Sequence, residues 1–87
     1  MKFEFDNEKS VSNKTKHGID FLQAQALWRD KHLIIFPLAY VSEERFIALG
    51  KIQGKNYSAI FTNRDKKIRL ISVRRSRKEE VIFYENN

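Results

Sequence analysis

The sequence predicts an α+β fold in which helices pack on a mainly antiparallel sheet. Three observations carry that expectation. Apolar residues recur at helical spacing up to about residue 30 and in strand-like runs beyond it. The runs at 32–38, 45–52, 56–63 and 68–74 are separated by gaps too short for crossover helices, so neighbours run antiparallel. The chain has 87 residues and 41% apolar content, with seven Phe, three Tyr and one Trp, enough for one core and one domain.

The elements follow in order. In "KFEFD", Phe3 and Phe5 share one side of an alternating run, a short first strand. Asp6 is placed to cap a helix through "NEKSVSNKTKH", with Glu8 in its first turn and Gly18 just past its end. Val11 is its only strong apolar residue, so this helix is expected to be mostly solvated. Asp20, with Gln23 three residues later, forms a capping box for a second helix. Phe21, Ala24, Leu27 and Trp28 then fall on one helical face.

"HLIIFPL" is a β-prone run closed by Pro37, and in the loop "AYVSEE" Tyr40 is the aromatic expected to be exposed. "RFIALGKI" sets Phe46, Ala48 and Gly50 on one face and Ile47 and Leu49 on the other. After the turn "QGK", "NYSAIFTN" sets Tyr57, Ala59 and Phe61 against Ser58, Ile60 and Thr62. For "IRLISVR", strict alternation puts Arg69, Ile71, Val73 and Arg75 on one face and Ile68, Leu70, Ser72 and Arg74 on the other. Apolar residues on both faces suggest an inner strand covered on both sides. Ser76 and Glu79 form a second capping box, opening a last helix "RKEEVIFYE" anchored by Val81, Ile82 and Tyr84. The order is β-α-α-β-β-β-β-α, without repeats or a domain boundary, so residues 1–87 form a single domain.

The net charge of +6 is uneven. The first 63 residues hold nine Lys or Arg and seven Asp or Glu; the last 24 hold eight and four. Residues 64–78 alone carry eight Lys or Arg around a strand that has to be buried. A concentrated excess favours a basic patch, which attracts phosphate polyanions. The absence of cysteine excludes disulfides, thiol catalysis and Cys-based zinc sites, and fits a cytoplasmic location. Two isolated histidines, His17 and His32, make no metal site, and there is no Gly-rich phosphate loop. Neither a secretion signal nor a membrane helix is expected, and no cofactor is implied.

"FEFD" at 3–6, Asn13, "KHGIDF" at 16–21, "ERF" at 44–46 and "IRLISVRRSRKEEVIFYE" at 68–85 together resemble the BrnT family of toxins from type II toxin–antitoxin systems. The likeness spans nearly the whole chain in order, although that family more often carries Trp where this chain has Phe5. The resemblance implies a RelE/ParE-like fold and a ribonuclease that arrests translation. It also implies a partner, a BrnA-like antitoxin in a 2:2 hetero-oligomer, whose ribbon-helix-helix domain contacts operator DNA on behalf of the complex.

RNA cleavage without a metal can use the ribose 2′-hydroxyl as nucleophile; it then needs a proton acceptor, a proton donor and cations around the phosphate. Arg64, Arg74 and Arg75 are the candidates for phosphate binding and transition-state stabilisation, because guanidinium forks match phosphate and stay charged. Arg45 begins a neighbouring strand and can join them. Lys67, Arg69, Arg77 and Tyr84 are candidate RNA contacts. His17 is the natural candidate base, but its place at a helix C-terminus before Gly18 reads first as a cap for free carbonyls. Glu44 is a second candidate base or an ion-pair partner. Tyr84 can stack a base, donate a proton or pack in the core. Phe21, Trp28, Phe46 and Phe61 read as core, and His32 as structural. Three other readings fit the same basic patch: a non-enzymatic nucleic-acid-binding module, a protein-interaction domain facing an acidic partner, and a ParE-like toxin with a topoisomerase target.

Overall fold

One five-stranded sheet, in the order β1-β5-β4-β3-β2, organises the chain. The computed structural model describes residues 1–39 and 42–87, so the expectation for Tyr40 lies outside the described residues. The strands are β1 (Phe3–Glu4), β2 (Ile34–Leu38), β3 (Arg45–Ile52), β4 (Lys55–Arg64) and β5 (Lys67–Arg75); the helices are α1 (Asn7–His17), α2 (Phe21–Ala24) and α3 (Lys78–Glu85). The element order is the one read from the sequence. β2 through β5 pair antiparallel, and β1 adds to β5 in parallel. No helix among the described residues is long and apolar enough to cross a membrane.

The helix starts obey local chemistry. Asp6 Oδ1 accepts the Glu8 and Lys9 N–H groups, and Asp20 and Gln23 form the reciprocal box. α2 is shorter than its apolar spacing implies. After Ala24 the chain tightens into a 3-10 turn at Gln25–Arg29. A repeat of three stacks Ala24 and Leu27, both fully buried, and turns Trp28 edge-on to Phe3 and Phe61.

α1 docks through polar groups. Val11 is 68% exposed, while Ser10 and Asn13 are buried. The Ser10 hydroxyl accepts the Phe21 N–H. The Asn13 amide donates to the carbonyls of Ile19 and Val73, both at 2.8 Å, and its Oδ1 accepts the Val73 N–H at 3.2 Å. β1 pairs with β5 only at Ile68 and Arg69. Further along that edge, one side chain does for Val73 what a neighbouring strand would do.

The alternation expected along β5 does not hold. Opposite Ile60 stands Ser72, and opposite Phe61 stands Leu70, so Ile71 is an extra residue in a β-bulge. One inserted residue inverts the parity on either side of it. Ile68, Leu70 and Val73 therefore all face the main core, with Phe21, Leu27, Ala48, Ala59 and Phe61. Lys67, Arg69, Ser72 and Arg74 share the opposite face. β5 is an inner strand of the sheet, but its buried apolar residues serve one face only. β3 and β4 alternate as read, with Ile47 and Leu49 on the second face beside Tyr84, Ile34, Phe36 and Leu38.

α3 crosses that second face at the end where β5 finishes. Tyr84 packs with Ile47 and Leu49, and Phe83 meets Phe36 edge-on with centroids 5.4 Å apart. Ile82, expected as an anchor, is half exposed. The cap is displaced by one residue from the one expected: Arg77 is the N-cap, and its N–H donates to Glu80 Oε1 at 2.8 Å. Ser76 is otherwise engaged, its hydroxyl 2.8 Å from that of Ser58, which itself donates to Glu80. The Arg74 fork grips both Glu80 oxygens at 2.7 and 2.9 Å.

The Arg74 fork, aided by the Arg77 N–H and the Ser58 hydroxyl, outweighs burial and pulls the Glu80 carboxyl from the ordinary 4.5 down to about 2. A depressed carboxyl pKa adds stability above the unfolded value and loses it as pH falls through the folded one. Stability of the wild type is thus expected to drop from pH 4.5 towards 2. Glu80→Gln, weaker at neutral pH, should lose less over that window, as urea unfolding at each pH will record. Parallel curves for the two proteins would show that this pair carries no linkage.

Candidate nucleic-acid interface

The bulge decides where the cations go. Below it, Lys67 and Arg69 join Arg74 on the second face. Register adds Arg64, opposite Lys67 on β4, and Arg45, which has the parity of Ile47 on β3. Five cationic side chains thus cluster on one face, around a floor of Ile60, Thr62 and Ser72, while Lys51, of the same parity, lies at the far end beside Tyr84. Each arginine is held by a carboxylate. Glu43 pairs with Arg45 at 3.3 Å and Arg64 at 4.0 Å, Glu4 with Arg69 at 3.4 Å, and Glu80 with Arg74 at 2.7 Å. Lys67 has no ion pair among the described residues. Five cations against three carboxylates leave the face positive. The pairs restrict the guanidinium groups in advance, so an anion meeting them would need little reorganisation.

The three arginines expected to grip phosphate together are spread apart. Arg64 and Arg74 share the face, but six residues of β4 separate their register positions, roughly 20 Å at strand rise. Arg75 points to the opposite face, that of the main core. There its guanidinium lies 5.6 Å from the Tyr57 ring centroid and its Nε donates to the Asn56 carbonyl. Arg45 joins Arg64 through Glu43 and not the Arg74–Arg75 end. Arg77 is exposed at the start of α3. The Glu44 carbonyl accepts the Thr62 hydroxyl at 2.6 Å, and it is Glu43 whose carboxylate reaches the arginines.

His17 occupies the last turn of α1, where a cleft of about 210 Å³ opens between α1 and β5, and Ser72 belongs to both cleft and cationic face. His17 therefore shares a cleft with one residue of that face. Sequence reading missed Glu4, Glu43 and Glu80 as the partners that set the arginines. For Glu4 a signal existed: lying between Phe3 and Phe5, it has to point away from the core.

Tyr84 is buried and lies away from Arg64, at the other end of the face. Its hydroxyl donates to Asp30 Oδ2 at 2.6 Å, in the wall of a larger cleft of about 800 Å³. There Arg29 and Lys51 are balanced by Asp30 and Glu85, so that cleft offers a polyanion no net attraction. Burial raises Asp30, but hydrogen bonds from Tyr84 and from the His32 and Lys51 N–H groups outweigh it and hold the carboxyl below its usual value. Burial, with the bond to Asp30, pushes the Tyr84 phenol up to about 12. One tyrosine should consequently ionise late in a spectrophotometric titration, and Tyr84→Phe should remove that late component. A raised pKa places the linked stability below pH 10, lost as pH rises towards 12.

Among the described residues no three His, Cys, Asp or Glu side chains come together to hold a metal. The fold and this face define a small α+β protein that carries guanidinium groups, each held by a carboxylate, on one face of its sheet. Residues 5–80 match the family model of the ribonuclease toxin BrnT of type II toxin–antitoxin systems, and the chain belongs to that family. A search of curated proteins finds no match. The chain is accordingly a ribonuclease toxin whose system supplies an antitoxin as its partner.

Proposed function

We propose that this toxin cuts RNA on the cationic face without a metal, and that the cuts arrest translation in the cytoplasm. The ribose 2′-hydroxyl attacks its own 3′-phosphate. The 2′-O–P bond forms, the P–O5′ bond breaks, and a 2′,3′-cyclic phosphate and a 5′-hydroxyl result. The nucleophile lies within the substrate, so the protein's task is proton transfer and charge stabilisation. The observation that carries this reading is the bulge at Ile71, which gathers Lys67, Arg69 and Arg74 beside Arg64 and Arg45.

In this reading Arg69 and Arg64 neutralise the reacting phosphate, and Lys67 and Arg45 hold its neighbours. Arg74, locked by Glu80, fixes the end of the path where α3 begins, with Arg77 beyond it. His17, in the cleft that Ser72 also lines, moves the proton. Glu80, held at about 2, is too weak a base for that task. Glu43, between Arg45 and Arg64, replaces Glu44 as the carboxylate of the site. Arg75 and Tyr84 have no part in the face.

The inhibiting partner is a BrnA-like ribbon-helix-helix antitoxin in a 2:2 assembly, and operator DNA is bound only through that antitoxin. The test uses end-labelled single-stranded RNA in excess chelator. Cyclic-phosphate ends from the wild type, and their loss in His17→Ala, are the expected result. RNA bound but uncut, both free and on translating ribosomes, would leave a binding module. Light scattering of the co-expressed pair checks the stoichiometry.

A further inference from the structure

The cleft between α1 and β5 carries more than His17. Its lining also includes two lysines, Lys9 and Lys16, the serines Ser12 and Ser72, and Ile71. Lys9, Ser12 and Lys16 stand at helical spacings of three, four and seven, with His17 next to Lys16, so α1 turns one polar stripe towards the β5 edge. No carboxylate lines the cleft. Among the described residues neither lysine ammonium has a hydrogen bond or ion pair, and both side chains are exposed. The arginines across the sheet, by contrast, are all held by carboxylates.

The cleft exists because of two features already described. β1 pairs with β5 no further than Arg69, and Asn13 takes the place of a strand at Val73. Between those points the bulged Ile71 and Ser72 are left to face α1. Ser72 also belongs to the cationic face, so a chain lying on the face can continue over the sheet edge into the cleft without lifting off.

We propose that the lysines of this cleft form a further subsite for RNA next to His17, holding the phosphodiester of a nucleotide that flanks the cut. Lys9 and Lys16 supply two unpaired cations about 10 Å apart along the helix, and Ser12 and Ser72 supply hydroxyl donors. The inference rests on the RNA-cleaving reading above and adds a length requirement: the enzyme prefers single-stranded RNA that extends past the scissile bond towards α1. The lysines bind the flanking phosphate equally before and during reaction, so they act on KM and not on kcat.

The test compares wild type with the Lys9→Ala/Lys16→Ala double variant on a dinucleotide and on an RNA of about twelve nucleotides. Unchanged thermal denaturation of the variant checks that α1 is intact. The expected result is a rise of about tenfold in KM for the long RNA, with kcat and the dinucleotide reaction unchanged. An equal loss on both substrates, or no change on either, overturns the subsite. If the wild type cuts neither free substrate, the subsite is judged by binding alone, and the nuclease reading stands or falls on the ribosome assay above. Anisotropy with the long RNA then expects the slope of log K against log salt to be shallower by about 0.7 in the variant, the loss of one single-strand phosphate contact. An unchanged slope overturns it.

Discussion

Arg69→Ala is expected to slow RNA cleavage by about a hundredfold to a thousandfold, the effect of removing one preorganised charge from a developing anion. Arg69 sits mid-face, opposite Thr62, and is held at 3.4 Å by Glu4 with a side-chain exposure of 30%. A guanidinium that is half-buried and pre-aimed loses more on removal than a solvated one. Arg64→Ala, more exposed at 52% and held by a longer pair, should cost less. Arg69→Lys keeps the charge and loses the fork, and should fall between wild type and alanine. Arg75→Ala is the internal control, because its guanidinium lies on the other face of the sheet over Tyr57. Single-turnover cleavage of one labelled RNA by the four variants gives the order directly. A large loss in Arg75→Ala with none in Arg69→Ala would move the active face to the main-core side of the sheet and sink the assignment.

Asn13→Ala is expected to be the most destabilising single change on α1, at about 3 kcal/mol, because three buried backbone groups lose their partner at once. For a domain of this size that is a fall in Tm of roughly 12–24 °C. Asn13→Asp probes the reason. A carboxylate can still accept the Val73 N–H but cannot donate to the Ile19 and Val73 carbonyls, so it should rescue little. Val11→Ala, two positions away and exposed, should be close to neutral. Thermal melts of the three variants decide. If Asn13→Ala melts with the wild type, the β5 edge is held by something other than this amide.

The two predictions divide between what could be read and what could not. Helix caps at Asp6 and Asp20 were legible because they depend on residues three apart. The faces of β3 and β4 were legible because pleating alternates side chains with a period of two. The basic character of the last third of the chain was legible by counting. The S-x-x-E box at Ser76 was also a local signal, yet Arg77 took the cap, because Ser58 on β4 engages the Ser76 hydroxyl and Arg74 fixes Glu80 one residue beyond Glu79. The short α2 and the polar docking of α1 follow the same logic: each answers a demand from the sheet that the helix's own sequence does not contain.

The sequence by itself determined the elements, their order, the patterned faces of two strands and an excess of positive charge near β5, since all of these arise from interactions a few residues apart. The tertiary structure decided which way that charge points. A bulge forms only where two strands pair, and the one at Ile71 reconciles Val73 with Ile68 and Leu70 in a single core. Satisfying that core leaves Lys67, Arg69 and Arg74 on the opposite face with Arg64 and sends Arg75 to the other. Burial of three apolar side chains outweighs strict alternation, and the cationic face is the consequence.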